Sequence, residues 1–131
     1  MTLESGKLQH AVGDSGEQYA VDYLKSKGYE ILQRNFRTRT PRTGEVDIIA
    51  RTGEYLVFFE IKTRKQGGLT PAPFSVTAAQ KKRIIAAAQA FLYRYPMDLQ
   101  PRFDVICLET DRSEQFRVLS LEHYEDAFWM E

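Results

Sequence analysis

The 131-residue chain is long enough for one domain with one buried core, and its 43% hydrophobic content is that of an ordinary globular protein. Its 18 basic and 18 acidic residues cancel, so bulk charge gives no support to a nucleic-acid partner. No apolar run approaches membrane-spanning length, no basic-then-apolar leader opens the chain, and the single Cys107 excludes an internal disulfide framework. The expected setting is therefore the cytoplasm, without a membrane partner.

In chain order, residues 1–12 have little periodicity and are expected to form a mobile tail ahead of a single domain over residues 13–131. Asp14 or Ser15 can cap a helix that runs to about Lys27 and stops at Gly28, with Tyr19, Ala20, Tyr23 and Leu24 as its apolar stripe. Glu30–Arg37 reads as a strand, and the Arg/Thr/Pro-rich stretch up to Gly44 as a loop or hairpin tip. Glu45–Arg51 and Tyr55–Thr63 read as strands joined by a tight turn at Thr52-Gly53-Glu54. Gly67, Gly68, Pro71 and Pro73 mark a loop from Lys65 to Ser75. Thr77 can cap a helix from Ala78 to about Tyr95, ended by Pro96, with Ile84, Ile85, Ala88, Phe91, Leu92 and Tyr95 on its buried face. Arg102–Glu109 is a further strand that buries Cys107, and Phe116–Leu121 a last short one. Leu121–Trp129 is expected as a short helix or turn. Helix, three strands, helix, two strands predicts an α/β fold, a central mixed sheet flanked by helices.

The chemistry gathers on the two middle strands. Side chains alternate along a strand, so Glu60 and Lys62 share a face with their Cα atoms about 6–7 Å apart, and Glu45 and Asp47 do likewise. If the Gly53 turn pairs these strands, the three acids and Lys62 converge. Carboxylates at that density suit Mg²⁺ or Mn²⁺, and a lysine beside them can hold a phosphate oxygen or an attacking water. The plainer reading is a cross-strand ion pair on a solvated face, for Glu-x-Lys alone is a weak pattern. The run Leu56-Val57-Phe58-Phe59 weighs against it, because it reads as a strand buried on both faces leading straight into Glu60.

Together, Glu45-Val46-Asp47-Ile48-Ile49-Ala50 and Val57-Phe58-Phe59-Glu60-Ile61-Lys62-Thr63-Arg64 resemble the signature of the YraN-like family of uncharacterised bacterial endonucleases. That family belongs to the restriction-endonuclease-like PD-(D/E)xK group and is similar to the archaeal Holliday junction resolvases. Gly16-Glu17, Gly28-Tyr29, Asn35-Phe36-Arg37 and Arg102-Phe103-Asp104-Val105 also match, so the resemblance runs from about Gly13 to Leu108. It implies a restriction-endonuclease-like fold, Asp47 and Glu60 as metal ligands, and Lys62 as the catalytic lysine. It also implies Glu17 as a helix acid near the metal, Glu45 as the acid two residues before the metal-binding aspartate, and Gln80 where many such nucleases carry a glutamine. Val46 stands where the group's name has proline, and Phe59-Glu60-Ile61 replaces the commoner Val-Glu-Val.

Charge is unevenly spread. Residues 34–83 hold eleven basic and four acidic side chains, which can make a local phosphate-binding face. Lys81, Lys82 and Arg83 stand in a helix's first turn, where cations oppose the dipole unless a phosphate binds there. Arg64 and Lys65 flank the expected site. Arg37, Arg39 and Arg42 read equally as a grip on the DNA backbone or as a solvated loop. Asp104 reads as a support behind the metal site or as a structural partner of Arg102, the latter favoured, and His10 and His123 lack partners at metal-ligand spacing. The leading expectation is a Mg²⁺- or Mn²⁺-dependent endonuclease acting on DNA, on branched or processed forms by analogy, alone or with a homodimeric or protein partner. The alternative is a non-catalytic nucleic-acid-binding or protein-interaction module on the same fold.

Overall fold

A computed structural model describes the backbone of residues 5–67, 76–113 and 115–129, with side chains from residue 15 onward. The elements are α1 (Ser5–Ser26), β1 (Glu30–Thr38), β2 (Gly44–Thr52), β3 (Tyr55–Lys65), α2 (Ala78–Arg94), β4 (Gln100–Thr110) and β5 (Val118–Phe128). Their order is the one expected. α1 ends as Gly28 takes φ +91°, and the Tyr29 N–H turns back to the Leu24 carbonyl at 3.0 Å, a glycine cap. Its start differs from expectation. The helix is already formed at Ser5, so Asp14 and Ser15 lie inside it and do not cap it, and residues 5–12 extend the helix.

Five strands form one sheet in the order β1-β2-β3-β4-β5. β1, β2 and β3 are antiparallel neighbours, β3 and β4 are parallel, and β5 returns antiparallel to β4. A parallel pair needs a crossover, and α2 supplies it. The two helices cover opposite faces. Against α2 lie Phe36, Val46, Leu56, Phe58, Phe103 and Val105, while against α1 lie Ile48, Val57, Phe59, Ile106 and Leu108. This explains the unbroken apolar run of β3. Leu56 and Phe58 serve one face, Val57 and Phe59 the other, and all four are fully buried. An α/β mixed sheet with a helix on each face is the expected class and is consistent with a restriction-endonuclease-like fold. Among the described residues no helix is long and apolar enough to cross a membrane.

Three further expectations are corrected. Leu121–Trp129 is neither helix nor turn, because residues as far as Phe128 continue β5 along β4. On α2 the buried face is Ile84, Ala86, Ala87, Ala88 and Phe91, with Ile85 and Leu92 only partly covered and Tyr95 43% exposed. On α1, Ala20, Val21 and Leu24 are buried whereas Tyr19 is exposed. The cap at Thr77 is as expected: its Oγ1 accepts the Gln80 N–H, and Gln80 Oε1 accepts the Thr77 N–H. Lys65 ends β3, Gln66 and Gly67 follow as a turn, and residues 68–75 of the expected Gly/Pro loop lie outside the described residues.

Candidate active site

The β2–β3 ladder runs from Thr52 opposite Tyr55 to Ile48 opposite Phe59 and then stops. Asp47 is the next residue, and its carboxylate takes over the role of the backbone, with Oδ2 accepting the Ile61 N–H at 2.7 Å. The strand kinks here. Val46 packs on the α2 side and Ile48 on the α1 side, although strict alternation would put both on one face. On β1, Arg34 pairs with Ile48 and Phe36 with Val46, so Asn35 stands opposite Asp47. Asn35 has φ +52°, a left-handed conformation that asparagine tolerates better than most residues.

Glu45, Asp47 and Glu60 open onto one cavity of about 150 Å³, closed on the α2 side by Gln80, Arg83 and Ile84. Lys62 sits beside it, its Nζ 3.4 Å from Glu60 Oε1, with both side chains about four-fifths covered. The turn at Gly53, with φ +53°, thus brings together the acids and the lysine named from sequence. The charges are not balanced. Burial pushes the Asp47 carboxyl up to about 7, reinforced by Glu60 and more weakly by Glu45 and Glu17, against the Ile61 N–H. Burial also raises Glu60, and Glu45 adds to this, while Lys62 and Arg83 oppose it. Anions so crowded call for a counter-charge.

The donors fit a hard divalent cation in kind. They are carboxylate oxygens, and among the described residues Asp47 Oδ1 carries no hydrogen bond. Also among the described residues, no three Asp, Glu, His or Cys side chains stand close enough to hold a metal by themselves. Such a site therefore offers one or two carboxylates and leaves the remaining positions to substrate and water, which is how Mg²⁺ is commonly held.

Other expected residues divide. Glu17, buried on α1, lies outside the cavity. Arg34 Nε donates to it at 2.8 Å, and Asn35 Nδ2 to both its oxygens at 2.9 and 3.0 Å. Gly16 permits this approach, since a Cβ there would sit 2.9 Å from Thr63 Oγ1. Gln80 faces the cavity with its Oε1 committed to the cap. Of the cationic turn, Arg83 lines the cavity, Lys81 lies 5.8 Å from the Phe128 ring centre, and Lys82 is exposed. Arg64 turns toward β4 and pairs with Glu109 at 3.1 Å, while Lys65 is exposed at the end of β3. Arg37 reaches Glu45 at 3.6 Å, and Arg39 and Arg42 are exposed beyond it. Sequence reasoning counted Arg34 only as charge and gave Asn35 no role. The signals for Asn35 were its place in a matching motif and an asparagine inside a strand, where it is a poor β former.

Residues 16–108 match the uncharacterised protein family UPF0102. The chain belongs to the UPF0102 family. It is 39% identical over 122 residues to a UPF0102 protein of Chlorobium chlorochromatii, covering 92% of each chain. It is 42% identical over 130 residues to one of Geotalea uraniireducens, covering 98% of this chain and 97% of the relative. The UPF0102 segment contains every residue that lines the acidic cavity, together with Glu17 and Lys62, and ends on β4 at Leu108.

Proposed function

We propose that this UPF0102 chain is a metal-dependent endonuclease that hydrolyses DNA phosphodiester bonds. The observation that carries the reading is the cavity at the β2–β3 divergence, lined by three carboxylates and one arginine, with a lysine beside it and two acids raised above their ordinary range. In this reading Asp47 and Glu60 hold Mg²⁺ or Mn²⁺. A divalent ion bound there neutralises phosphoryl oxygens and acidifies a water. Lys62, held against Glu60, donates an N–H toward the attacking water or a phosphate oxygen. Arg83 meets the phosphate from the α2 side, and Gln80 can offer its amide N–H while its oxygen stays on the cap. Glu45 strengthens the negative field at Asp47, and Glu17 orders Arg34 and Asn35 behind it. The resemblance of the strand motifs to those of resolvases directs the substrate choice to branched DNA, and the setting expected for this activity is the cytoplasm.

The first test is calorimetric titration of Mn²⁺ and Mg²⁺ into wild type and Asp47→Ala, followed by cleavage of single-stranded, duplex and branched DNA. Saturable binding lost in Asp47→Ala, with cleavage abolished in folded Lys62→Ala, is the expected result. Undiminished cleavage by pure Lys62→Ala protein would sink the mechanism. A second reading, a DNA-binding module without turnover, draws on the absence of three converged ligands among the described residues. Such a module would bind DNA equally well with a chelator present and never cleave it.

A further inference from the structure

Beside the acidic cavity runs a groove of about 860 Å³ between α2 and the loop that joins β1 to β2. One wall is Arg37, Thr38, Thr40, Pro41 and Arg42, and the other is the α2 face bearing Ala86, Ala90, Tyr93 and Arg94. Those helix positions fall at i, i+4, i+7 and i+8, and the same stripe begins one turn earlier at Arg83, which lines the cavity. Groove and cavity are thus successive stations on one helix face. From Arg83 to Tyr93 is roughly 15 Å along the axis, or about four steps of a stacked strand.

Two observations point to the occupant. The described lining holds three arginines and no acidic side chain, and of the three Arg37 also reaches Glu45, outside the lining, at 3.6 Å. Tyr93 is 91% exposed, and among the described residues its ring touches no other ring and its hydroxyl makes no hydrogen bond. The helix dipole accounts for Arg94 in the last turn of α2. It accounts neither for a bare aromatic ring beside it nor for the arginines on the facing wall. Cations that track a backbone, combined with an aromatic face left open, are what an unpaired nucleic-acid strand requires. A duplex keeps its base faces to itself and cannot offer one to a tyrosine.

We propose that this groove binds a single-stranded nucleic-acid segment, with a base stacked on Tyr93 and phosphates held by Arg37, Arg42 and Arg94. The inference rests on the nuclease reading only in directing the strand into the acidic cavity. The probe is a short fluorescein-labelled oligothymidylate, followed by fluorescence anisotropy in EDTA, with unlabelled single-stranded and duplex DNA as competitors. Wild type binds saturably, and Tyr93→Ala weakens binding roughly five- to hundredfold. Tyr93→Phe stays within about twofold because the ring remains. The single strand competes better than the duplex. No binding by wild type, unchanged binding by Tyr93→Ala, or equal competition by duplex overturns the proposal. So does light scattering that shows Tyr93→Ala converting a dimer to a monomer with oligonucleotide binding intact, which would assign the groove to a second copy. The two readings fail separately. Tyr93-dependent binding without metal-dependent cleavage defeats only the nuclease, and cleavage with Tyr93-independent binding defeats only the groove.

Discussion

Asp104 on β4 is fully buried, yet it is charged, because its partners outweigh its burial. Burial raises its carboxyl, but His123 and Arg102 side chains and the Asp126 N–H bond it at 2.8 to 3.0 Å and hold it below the usual carboxylate range. A carboxylate only accepts, so His123 Nε2 donates to it, and in the neutral ring Nδ1 is left to accept the Tyr23 hydroxyl at 3.0 Å. Arg102 also reaches the Tyr29 hydroxyl, so one buried charge ties α1, β4, β5 and the start of β1 together. A folded-state pKa below the unfolded value stabilises the fold above the unfolded pKa, near ~3.9, and the gain is lost as pH falls through the lower folded value. Asp104→Asn should therefore cost about 3 kcal/mol at neutral pH by leaving Arg102 poorly paired, and the deficit should shrink toward pH ~2.5. Urea denaturation of both proteins at the two pH values measures this, and a gap that does not narrow means the anion is not what stabilises. The Arg102–Asp104 pair was legible as neighbours of opposite charge on one strand face. The His123–Tyr23 link was not, because its members lie 100 positions apart and only the closed sheet joins them.

Among the elements, the most readable were those whose signals are local. Thr77 spells a helix cap, Gly28 a helix stop, and Gly53 a hairpin turn, and each does its expected work, with Gln80 completing a capping box. β5 was misread because Leu121, Tyr124 and Phe128 fall at helical spacing. A bulge produces that spacing: between Val105 opposite Tyr124 and Phe103 opposite Phe128 the register slips, Asp126 takes φ +52°, and its N–H is turned to Asp104. Gly44, at the start of β2, shows how closely α2 must approach to close the acidic cavity. A Cβ there would sit 2.5 Å from the Ala87 nitrogen, 2.8 Å from the Arg83 carbonyl oxygen and 3.0 Å from the Ala86 carbonyl carbon. These are backbone atoms and cannot swing aside. Gly44→Ala should lower stability by about 2 kcal/mol, as overpacking does, and move Arg83 away from Glu60. Thermal denaturation checks the first expectation. An unchanged melting temperature would mean that α2 can yield without loss.

Over the whole molecule, zero net charge conceals a division of labour. Most basic side chains of residues 34–83 reach the surface around β1, β2, the end of β3 and the start of α2, whereas β5 carries Glu122, Glu125 and Asp126. The sequence count showed the imbalance but not its use, because Arg64 and Arg34 are drawn into pairs with Glu109 and Glu17 while Arg42 and Arg94 face the groove. Net charge therefore does not govern affinity for an anionic strand, and the local face does. Each phosphate neutralised on a single strand contributes about −0.7 to the slope of log affinity against log salt. Arg42 and Arg94 predict a slope of about −1.4 for the oligothymidylate, and Arg37 takes it toward about −2 once it leaves Glu45. Arg42→Ala should flatten it by about 0.7, so its deficit is largest at low salt and fades as salt rises. Tyr93→Ala should lower affinity by a similar factor at every salt concentration, because stacking releases no counterions. Anisotropy titrations across a salt series distinguish the two, with a shallower line for Arg42→Ala and a parallel, displaced line for Tyr93→Ala. A slope unchanged in Arg42→Ala would mean that the β1–β2 loop does not touch the strand and that the groove's facing wall is only a connector.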